Sequence, residues 1–225
     1  MRQTRKIKRA MRGGGGLFVI GVAGASGCGK TYFSNLVKES LTAAGVDGIE
    51  VISCDNYYRP YPGGRKAPED FNWDVPESLD LDLLEEHLKT LKAGGRVEIP
   101  KYDFLTSQRG VAPDRVIDGS VTRLVIVEGL FVLLNPSLRA EMNLKLFAWL
   151  EPDICLARRL VRDFKERGKA YEETIHQYQT QVKPAYVNFI EPTKKYADLI
   201  ISTSEYSNTG ISLDVIRSYV AEKLA

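Results

Sequence analysis

The apolar residues of this chain fall into short runs with two alternating periods. Buried, strand-like runs lie at 17–23, 49–54, 121–127, 144–150 and 197–202. Apolar residues at helical spacing predict helices over 31–44, 81–91, 153–167, 172–190 and 212–224, with Pro184 breaking or kinking the fourth. Repeated strand–helix units are typical of a mainly parallel, doubly wound sheet. We therefore predict an α/β fold that binds its ligands at the carboxyl ends of the strands.

An irregular stretch at residues 56–76 interrupts this alternation. Aromatic residues lie there among prolines and glycines: Tyr57, Tyr58, Tyr61, Phe71 and Trp73. Such aromatics either anchor a loop or form the wall of a pocket for a planar ligand. Residues 96–102 are predicted to be extended. We expect a small insert, at about 56–120, within a single domain that spans 17–225.

The length of 225 residues suits one α/β domain with a sizeable core. The longest apolar runs are far too short to cross a membrane.

The net charge of +2 is concentrated at one end of the chain, because residues 1–12 carry six basic residues and no acid. The remainder therefore has a formal charge of −4, which argues against a nucleic-acid-binding body. Residues 1–16, which end in four glycines, predict a flexible basic arm. The alternatives for this arm are a polyanion-binding tail and part of a targeting segment.

Three cysteines without paired spacing argue against a disulfide scaffold and against a structural zinc site. This cysteine usage fits a reducing, cytoplasmic setting.

Residues 24–31 carry the strongest motif of the chain, because they match G-x-x-x-x-G-K-[ST] between a predicted strand and a predicted helix. Glycines let backbone N–H groups turn inward around anionic oxygens, and the helix adds its positive end. Lys30 would reach the terminal phosphates, and the Thr31 hydroxyl would hold Mg²⁺. The sequence thus predicts a nucleoside triphosphate site formed by Gly24, Ala25, Ser26, Gly27, Cys28, Gly29, Lys30 and Thr31.

Two acidic residues end strands that border this loop. Asp55 follows the second strand, where a carboxylate can accept a proton from an attacking hydroxyl or hold a magnesium-bound water. The alternative for Asp55 is a turn or helix cap. Glu128 follows the apolar residues 124–127, an arrangement that places a carboxylate beside Mg²⁺.

A basic segment follows the fourth strand. Its cations are Arg158, Arg159, Arg162, Arg167 and Lys169, and Gly168 predicts the end of the helix. One interpretation is a lid, at about 158–176, that closes on transferring phosphates and excludes water. The other is a solvated helix on which Asp163 and Glu166 are surface partners of the arginines.

Seven stretches together resemble the phosphoribulokinase/uridine kinase family of phosphate-loop kinases. They lie at 24–31, 51–60, 72–84, 98–104, 125–133, 157–168 and 191–201, within a region that runs from Leu17 to Ser202. The resemblance implies a five-stranded sheet with a nucleoside-binding insert and a helical lid. It also implies phosphoryl transfer from ATP or GTP, with Mg²⁺, to the 5′-hydroxyl of uridine or cytidine, and a homo-oligomeric assembly.

The resemblance implies roles for individual residues. Asp55 matches the base that deprotonates the ribose 5′-hydroxyl, and Asp74 matches a residue that binds ribose hydroxyls. Further matches are the base-enclosing aromatics, the lid cations and a glutamine near the nucleoside: Tyr58, Tyr102, Phe104, Arg159, Arg162, Arg167, Lys169 and Gln177. Among the lid arginines, Arg159 and Arg167 would contact phosphates and Arg162 would lie nearer the nucleoside. Lys30, Thr31 and Glu128 match phosphate and magnesium positions.

The sequence departs from the family pattern at three places, and the first of them, at Ser107, leaves the acceptor open. Ser107 stands where a histidine usually reads the base edge, Lys169 stands where an arginine is common, and residues 202–206 replace a Pro-Arg-Gly. One alternative is a kinase of another small hydroxyl acceptor, such as ribulose 5-phosphate or a different nucleoside. The other is a nucleotide-dependent regulatory NTPase.

Two of the cysteines lie close to the predicted chemistry. Cys28 belongs to the phosphate-binding motif, and Cys54 directly precedes Asp55. These thiols either form a reversible disulfide that blocks the site or are small buried residues.

Overall fold

The computed structural model describes residues 16–68, 70–204 and 209–224. The predicted basic arm, apart from its last residue, lies outside the described residues, as do residues 205 and 206 of the stretch that replaces the family's Pro-Arg-Gly. Within the described part, no helix has the length and apolar character needed to cross a membrane.

A sheet of five parallel strands forms the centre of the molecule. The described residues form this sheet and two smaller ones. Their strands, in chain order, are β1 (Phe18–Gly24), β2 (Ile49–Ser53), β3 (Arg96–Ile99), β4 (Tyr102–Asp103), β5 (Gln108–Arg109), β6 (Arg115–Asp118), β7 (Leu124–Glu128), β8 (Leu144–Trp149) and β9 (Leu199–Ser202). The central sheet has the order β2-β7-β1-β8-β9, with every pairing parallel. The predicted fold class is therefore confirmed.

Helices cover both faces of this sheet. They are α1 (Lys30–Ala43), α2 (Leu81–Lys92), α3 (Pro136–Ala140), α4 (Pro152–Arg167), α5 (Tyr171–Gln177) and α6 (Thr209–Lys223). Successive residues of a strand point to opposite faces. Ile20 and Val22 of β1 thus pack in one core with α1 and α6, whereas Val19 and Ala23 pack in the other with α2. A strand buried on both faces is apolar at every position, which explains the continuous runs in the sequence.

The insert is built from α2 and two small antiparallel sheets. Asp80 accepts a hydrogen bond from the Leu83 backbone N–H at 3.4 Å and begins α2, whose leucines face the core. Strand β3 pairs with β6, and β4 pairs with β5. Residues 96–102, predicted as one extended segment, are divided between β3 and β4.

Some predicted strand ends were wrong by a few residues. Strand β2 ends at Ser53 because the chain turns there into the 3₁₀ helix Cys54–Tyr57. Strand β7 begins at Leu124 rather than at residue 121, because Val121 and Thr122 donate backbone hydrogen bonds to the carbonyl of Asp118 in a turn. Such turns satisfy backbone groups locally and leave no trace in the apolar pattern.

The predicted helix over 172–190 is not broken at Pro184. After α5, the chain continues through the π-helical segments Tyr178–Val182 and Tyr186–Ile190, with a single α-helical turn, Lys183–Ala185, between them. Proline has no N–H and its ring crowds the carbonyl four residues earlier. The wider π turns on either side shift the hydrogen-bond pattern and accommodate that defect.

Gly27 and Gly63 provide a matched test of backbone packing. Both have φ of +81°, but a Cβ at Gly27 would lie 2.3 Å from the Cys155 carbonyl oxygen, whereas a Cβ at Gly63 meets nothing within 4 Å. Both alanine variants incur the left-handed backbone penalty of about 1–2 kcal/mol. We expect Gly27→Ala to lower the free energy of unfolding by about 1–3 kcal/mol more than Gly63→Ala does. Only at Gly27 must the backbone of the loop or of Cys155 move to make room for the added methyl group. Urea denaturation measures the difference, and equal losses in the two variants would contradict this expectation.

Candidate active site

A cleft of about 560 Å³ opens at the carboxyl ends of β1, β2 and β7. Most of the predicted site residues line it: Ser26, Gly27, Gly29, Lys30, Thr31, Asp55, Tyr58, Asp74, Tyr102, Phe104, Ser107, Glu128, Arg159, Arg162, Arg167, Lys169 and Gln177. Gly24, Ala25 and Cys28 do not line this cleft. A few lining residues carried no sequence signal for a site, among them Lys66 and Leu130.

The loop between β1 and α1 has the close packing that its glycines permit. A Cβ at Gly24 would lie 2.3 Å from the Ala148 carbonyl oxygen, so the loop rests directly on β8. Gly29 has φ of +90° and begins α1, and the positive end of that helix points into the cleft. Lys30 Nζ donates a hydrogen bond to the carbonyl oxygen of Ala25 at 2.8 Å and thus folds back along its own loop. Loop, helix end and ammonium group together form a site for anionic oxygens.

Thr31 and Glu128 meet at the base of this loop. The Thr31 hydroxyl donates a hydrogen bond to Oε1 of Glu128 at 3.1 Å. Burial raises the pKa of Glu128 above that of an ordinary glutamate, and the nearby Lys30 ammonium opposes that shift. A hydroxyl and a buried carboxylate are the hard oxygen ligands that Mg²⁺ prefers. No group of three or more acidic, histidine or cysteine side chains arranged for a metal occurs among the described residues. A magnesium ion held mainly by phosphates needs only one or two protein carboxylates, so these two side chains fit it.

Asp55 lies in the 3₁₀ helix that follows β2. The Ser53 hydroxyl accepts a hydrogen bond from the Asp55 backbone N–H at 3.3 Å and so begins that helix. The far end of the same segment is held by Arg109, whose guanidinium donates to the carbonyl oxygens of Tyr57 and Tyr58 at 2.9 Å each. The backbone around Asp55 is therefore anchored on both sides, with the carboxylate on the cleft.

Aromatic rings form one wall of the cleft. The buried ring of Tyr58 lies at their centre, with centroid distances of 5.7 Å to Trp73, 5.3 Å to Tyr102 and 5.8 Å to Phe104. Phe71 packs behind Trp73 at 4.6 Å. The irregular stretch 56–76 therefore contributes to a pocket wall that suits a planar ligand.

Asp74 and Ser107 add polar groups to this aromatic wall. Burial raises the pKa of Asp74, and Arg159 and Arg167 oppose the shift. Ser107 is buried at a backbone φ of +57° in the turn between β4 and β5. Burial raises the pKa of Tyr102 to about 12, and the Ser107 side chain opposes that shift. The Ser107 carbonyl oxygen accepts from the Tyr61 backbone N–H at 2.9 Å. The residue at the position of the family's histidine is thus part of a network within the protein.

The basic segment packs over the cleft between its two halves. Gly168, with φ of +64°, ends α4 as predicted. Arg159 Nη1 donates to the hydroxyl of Ser26 at 2.9 Å, and Nη2 donates to Oε1 of Gln177 at 3.0 Å. The Arg167 guanidinium lies over the Phe104 ring at 4.9 Å. The arginines therefore contact both the phosphate-binding loop and the aromatic wall.

Of the two interpretations of the basic segment, the one that makes Asp163 a surface partner on a solvated helix is wrong. Its side chain is completely buried, and three arginines surround it. Arg162 donates two hydrogen bonds to Oδ1, from Nε at 3.0 Å and from Nη2 at 2.8 Å. Arg159 Nε lies 3.3 Å from Oδ2, and Arg167 Nη1 lies 3.6 Å from Oδ1. Arg159 and Arg167 lie four residues before and after Asp163, a spacing that places the three side chains on one face of α4 but does not distinguish a buried cluster from a surface one.

The three cysteines are free and buried. Burial raises the pKa of Cys28 and of Cys54, so little reactive thiolate forms at neutral pH. Cys54 also packs against Gly129. A Cβ added at Gly129 would lie only 2.4 Å from the Cβ of Cys54. The structure favours small buried residues at both positions over a redox-active pair.

The profile of the Phosphoribulokinase / Uridine kinase family matches residues 19–209. A uridine kinase from Deinococcus deserti is 41% identical over 189 residues, which cover 82% of this chain and 86% of that protein. A uridine kinase from Tolumonas auensis is 38% identical over an alignment of 208 residues, which covers 92% of this chain and 95% of that protein.

Solved structures agree at the level of the fold. A structure described as a possible uridine kinase from Bacillus stearothermophilus has a TM-score of 0.59 at 19% identity and covers 89% of this chain and all of its own. A D-glycerate 3-kinase from Cryptococcus neoformans has a TM-score of 0.55 at 17% identity, with 82% of this chain and 86% of its own covered. With a family profile over most of its length and relatives above 30% identity, this chain belongs to the phosphoribulokinase/uridine kinase family.

Proposed function

We propose that this protein is a nucleoside kinase that transfers the γ-phosphoryl group of ATP, or GTP, to the 5′-hydroxyl of uridine or cytidine. The observation that carries the proposal is one cleft with two chemically distinct halves. One half is a phosphate-binding loop with Lys30, and the other is an aromatic wall with Asp74. Asp55 lines the same cleft and is close enough to add to the effect of burial, which raises the pKa of Glu128 on the loop side and of Tyr58 and Asp74 on the wall side. The uridine kinases among the relatives support the same acceptor class.

On the donor side, the loop amides and Lys30 bind the phosphates, and the lid arginines neutralise charge on the transferring group. Mg²⁺ bound at Thr31 and Glu128 would supply further neutralisation of the β- and γ-phosphate oxygens. The buried setting strengthens each of these interactions and excludes water that would otherwise hydrolyse the donor. The lid proposed here, at about 158–176, contributes Arg159, Arg162, Arg167 and Lys169.

On the acceptor side, Asp74 accepts hydrogen bonds from ribose hydroxyls, and the rings of Tyr58, Tyr102 and Phe104 enclose the base. Asp55 aligns the 5′-hydroxyl and takes its proton as the oxygen attacks phosphorus. Gln177 connects two of the lid cations beside the acceptor, because its Oε1 accepts from Arg159 at 3.0 Å and from Lys169 at 3.3 Å. Catalysis then rests mainly on positioning and charge.

The aromatic wall favours a nucleoside over a phosphorylated sugar. A sugar phosphate needs a cationic subsite at its far end, whereas stacked rings suit a planar base. A regulatory NTPase would need neither the wall nor Asp55.

Several finer features also belong to this proposal. They are a single domain over 17–225 with an insert at about 56–120, a homo-oligomeric state, and a cytoplasmic setting consistent with three free, buried cysteines.

The acceptor is tested by ADP release with Mg-ATP against uridine, cytidine, purine nucleosides and ribulose 5-phosphate, with the product mass measured. We expect turnover that depends on uridine or cytidine. Turnover on another acceptor alone would retain the phosphotransferase and refute the pyrimidine acceptor. Acceptor-independent ATP hydrolysis without any phosphorylated product would refute the kinase.

Asp55→Asn tests the proposed base. The amide keeps the shape of the side chain but cannot take the proton, so we expect kcat to fall by roughly 10²- to 10⁴-fold. Binding of Mg-ATP, measured by calorimetry, should stay near that of the wild type. Near-normal turnover in the variant would remove Asp55 as the base.

Asp74 should give the acceptor KM a pH dependence. Its pKa is raised by burial, so it protonates at a higher pH than an ordinary aspartate and then accepts fewer hydrogen bonds from ribose. We expect the acceptor KM of the wild type to rise as pH falls from neutral. In Asp74→Asn, KM should be high and flat over the same range, with circular dichroism confirming that both proteins stay folded. A flat wild-type profile would contradict this role.

A further inference from the structure

We propose that Asp163 is a positioning residue that holds the lid arginines in the orientation needed for phosphoryl transfer. The inference rests on the proposed kinase function and goes beyond it, because Asp163 does not line the cleft and touches neither the loop nor the aromatic wall in any described contact. Its three cationic partners, Arg159, Arg162 and Arg167, do line the cleft.

The contacts of Asp163 differ among the three arginines. Arg162 donates two charge-assisted hydrogen bonds to Oδ1, so its guanidinium is fixed along one edge. Arg159 makes an ion contact with Oδ2 at 3.3 Å through Nε, while its two Nη atoms donate to Ser26 and Gln177. The carboxylate thus holds the inner edge of Arg159 and leaves its outer edge for the cleft.

Arg167 connects the same carboxylate with the acceptor side. Its Nη1 lies 3.6 Å from Oδ1 of Asp163, and its guanidinium lies over the ring of Phe104. The backbone carbonyl of Asp163 also accepts from the N–H groups of Gly168 and Lys169, which end the helix just after Arg167. One residue therefore sets the position of the helix end and of the arginine next to it.

Charge gives this arrangement its physical reason. Three guanidinium groups converge on one small region, and Asp163 is completely buried among them. Without its negative charge, the arginines repel one another and lose their shared counter-ion. They would then turn toward solvent before a nucleotide arrives, and aligning them again would oppose binding and catalysis.

The test compares Asp163→Asn with Glu166→Gln. Both changes remove one negative charge from α4 with little change of shape, but Glu166 is exposed and does not line the cleft. We expect Asp163→Asn to weaken Mg-ATP binding by about tenfold and to lower kcat by roughly 10- to 100-fold. Glu166→Gln should stay within about twofold of the wild type, as surface changes usually do. A purely structural role would lower the melting temperature and leave kcat and the ATP affinity of the folded enzyme unchanged, which would overturn the proposal.

A double-variant cycle with Arg159→Met tests whether Asp163 acts through its arginines. Effects on residues of one network are not additive. Once Arg159 is absent, Asp163→Asn should therefore cost much less than it does in the wild type. If the fold-loss of kcat in the double variant equalled the product of the losses in the two single variants, action through Arg159 would be refuted. Where Asp163→Asn does not fold, Asp163→Glu keeps the charge but displaces it, and wild-type turnover in that variant would overturn the proposal.

Calorimetric binding of Mg-ATP separates this inference from the acceptor assignment, since it needs no acceptor. Failure of the wild type to phosphorylate any nucleoside would defeat the proposed function alone. Unchanged ATP affinity and turnover in Asp163→Asn would defeat the positioning role alone.

Discussion

The parallel register of β2, β7 and β1 is the constraint on which the site depends. Glu128, the last residue of β7, stands level with Ser53 on one side and Val22 on the other. Strands β2 and β7 therefore end at one height and β1 ends two residues further on. This arrangement brings the 3₁₀ helix with Asp55, the carboxylate of Glu128 and the phosphate-binding loop to the same edge of the sheet. A shift of one residue would exchange the side chains that fill the two packed cores, so the close packing of both cores enforces this register.

Close backbone contact is the second requirement, and it connects the loop to the lid. Gly27 allows the loop to approach the Cys155 carbonyl, which belongs to the first turns of α4. The helix that carries the lid arginines thus starts against the phosphate-binding loop itself. Arg159, one turn further on, reaches Ser26 without any long connection. The loop and the basic helix α4 are therefore parts of one packed unit, and a change in the loop backbone would move the arginines as well.

Much of this arrangement could be predicted from the sequence, because its signals are local. A Gly-rich motif between strand and helix, and acids at strand ends, have few alternative interpretations in a parallel sheet. Asp163 could not be assigned in the same way, since an acid at helical spacing from arginines suits a solvated surface as well as a buried cluster. Only the packing of α5 and its continuation over α4 decides between these two. The π-helical turns around Pro184 likewise depend on tertiary contacts that periodicity does not contain.

The distribution of charge explains why the cleft attracts anions although the body of the chain is acidic. Outside residues 1–12 the formal charge is −4, yet seven basic and four acidic side chains line the cleft. Low-dielectric walls focus the field of such a surplus into the opening. Most of these cations lie on the basic segment and the loop, whereas the acids are distributed over the cleft, with Glu128 beside the loop, Glu173 on α5, and Asp55 and Asp74 near Tyr58. The buried carboxylates stand beside cations, since burial raises the pKa of Glu128 against the opposing effect of Lys30 and raises the pKa of Asp74 against that of Arg159. The surplus of cations therefore suits a polyphosphate, while the interleaved carboxylates supply acceptors for neutral hydroxyl groups.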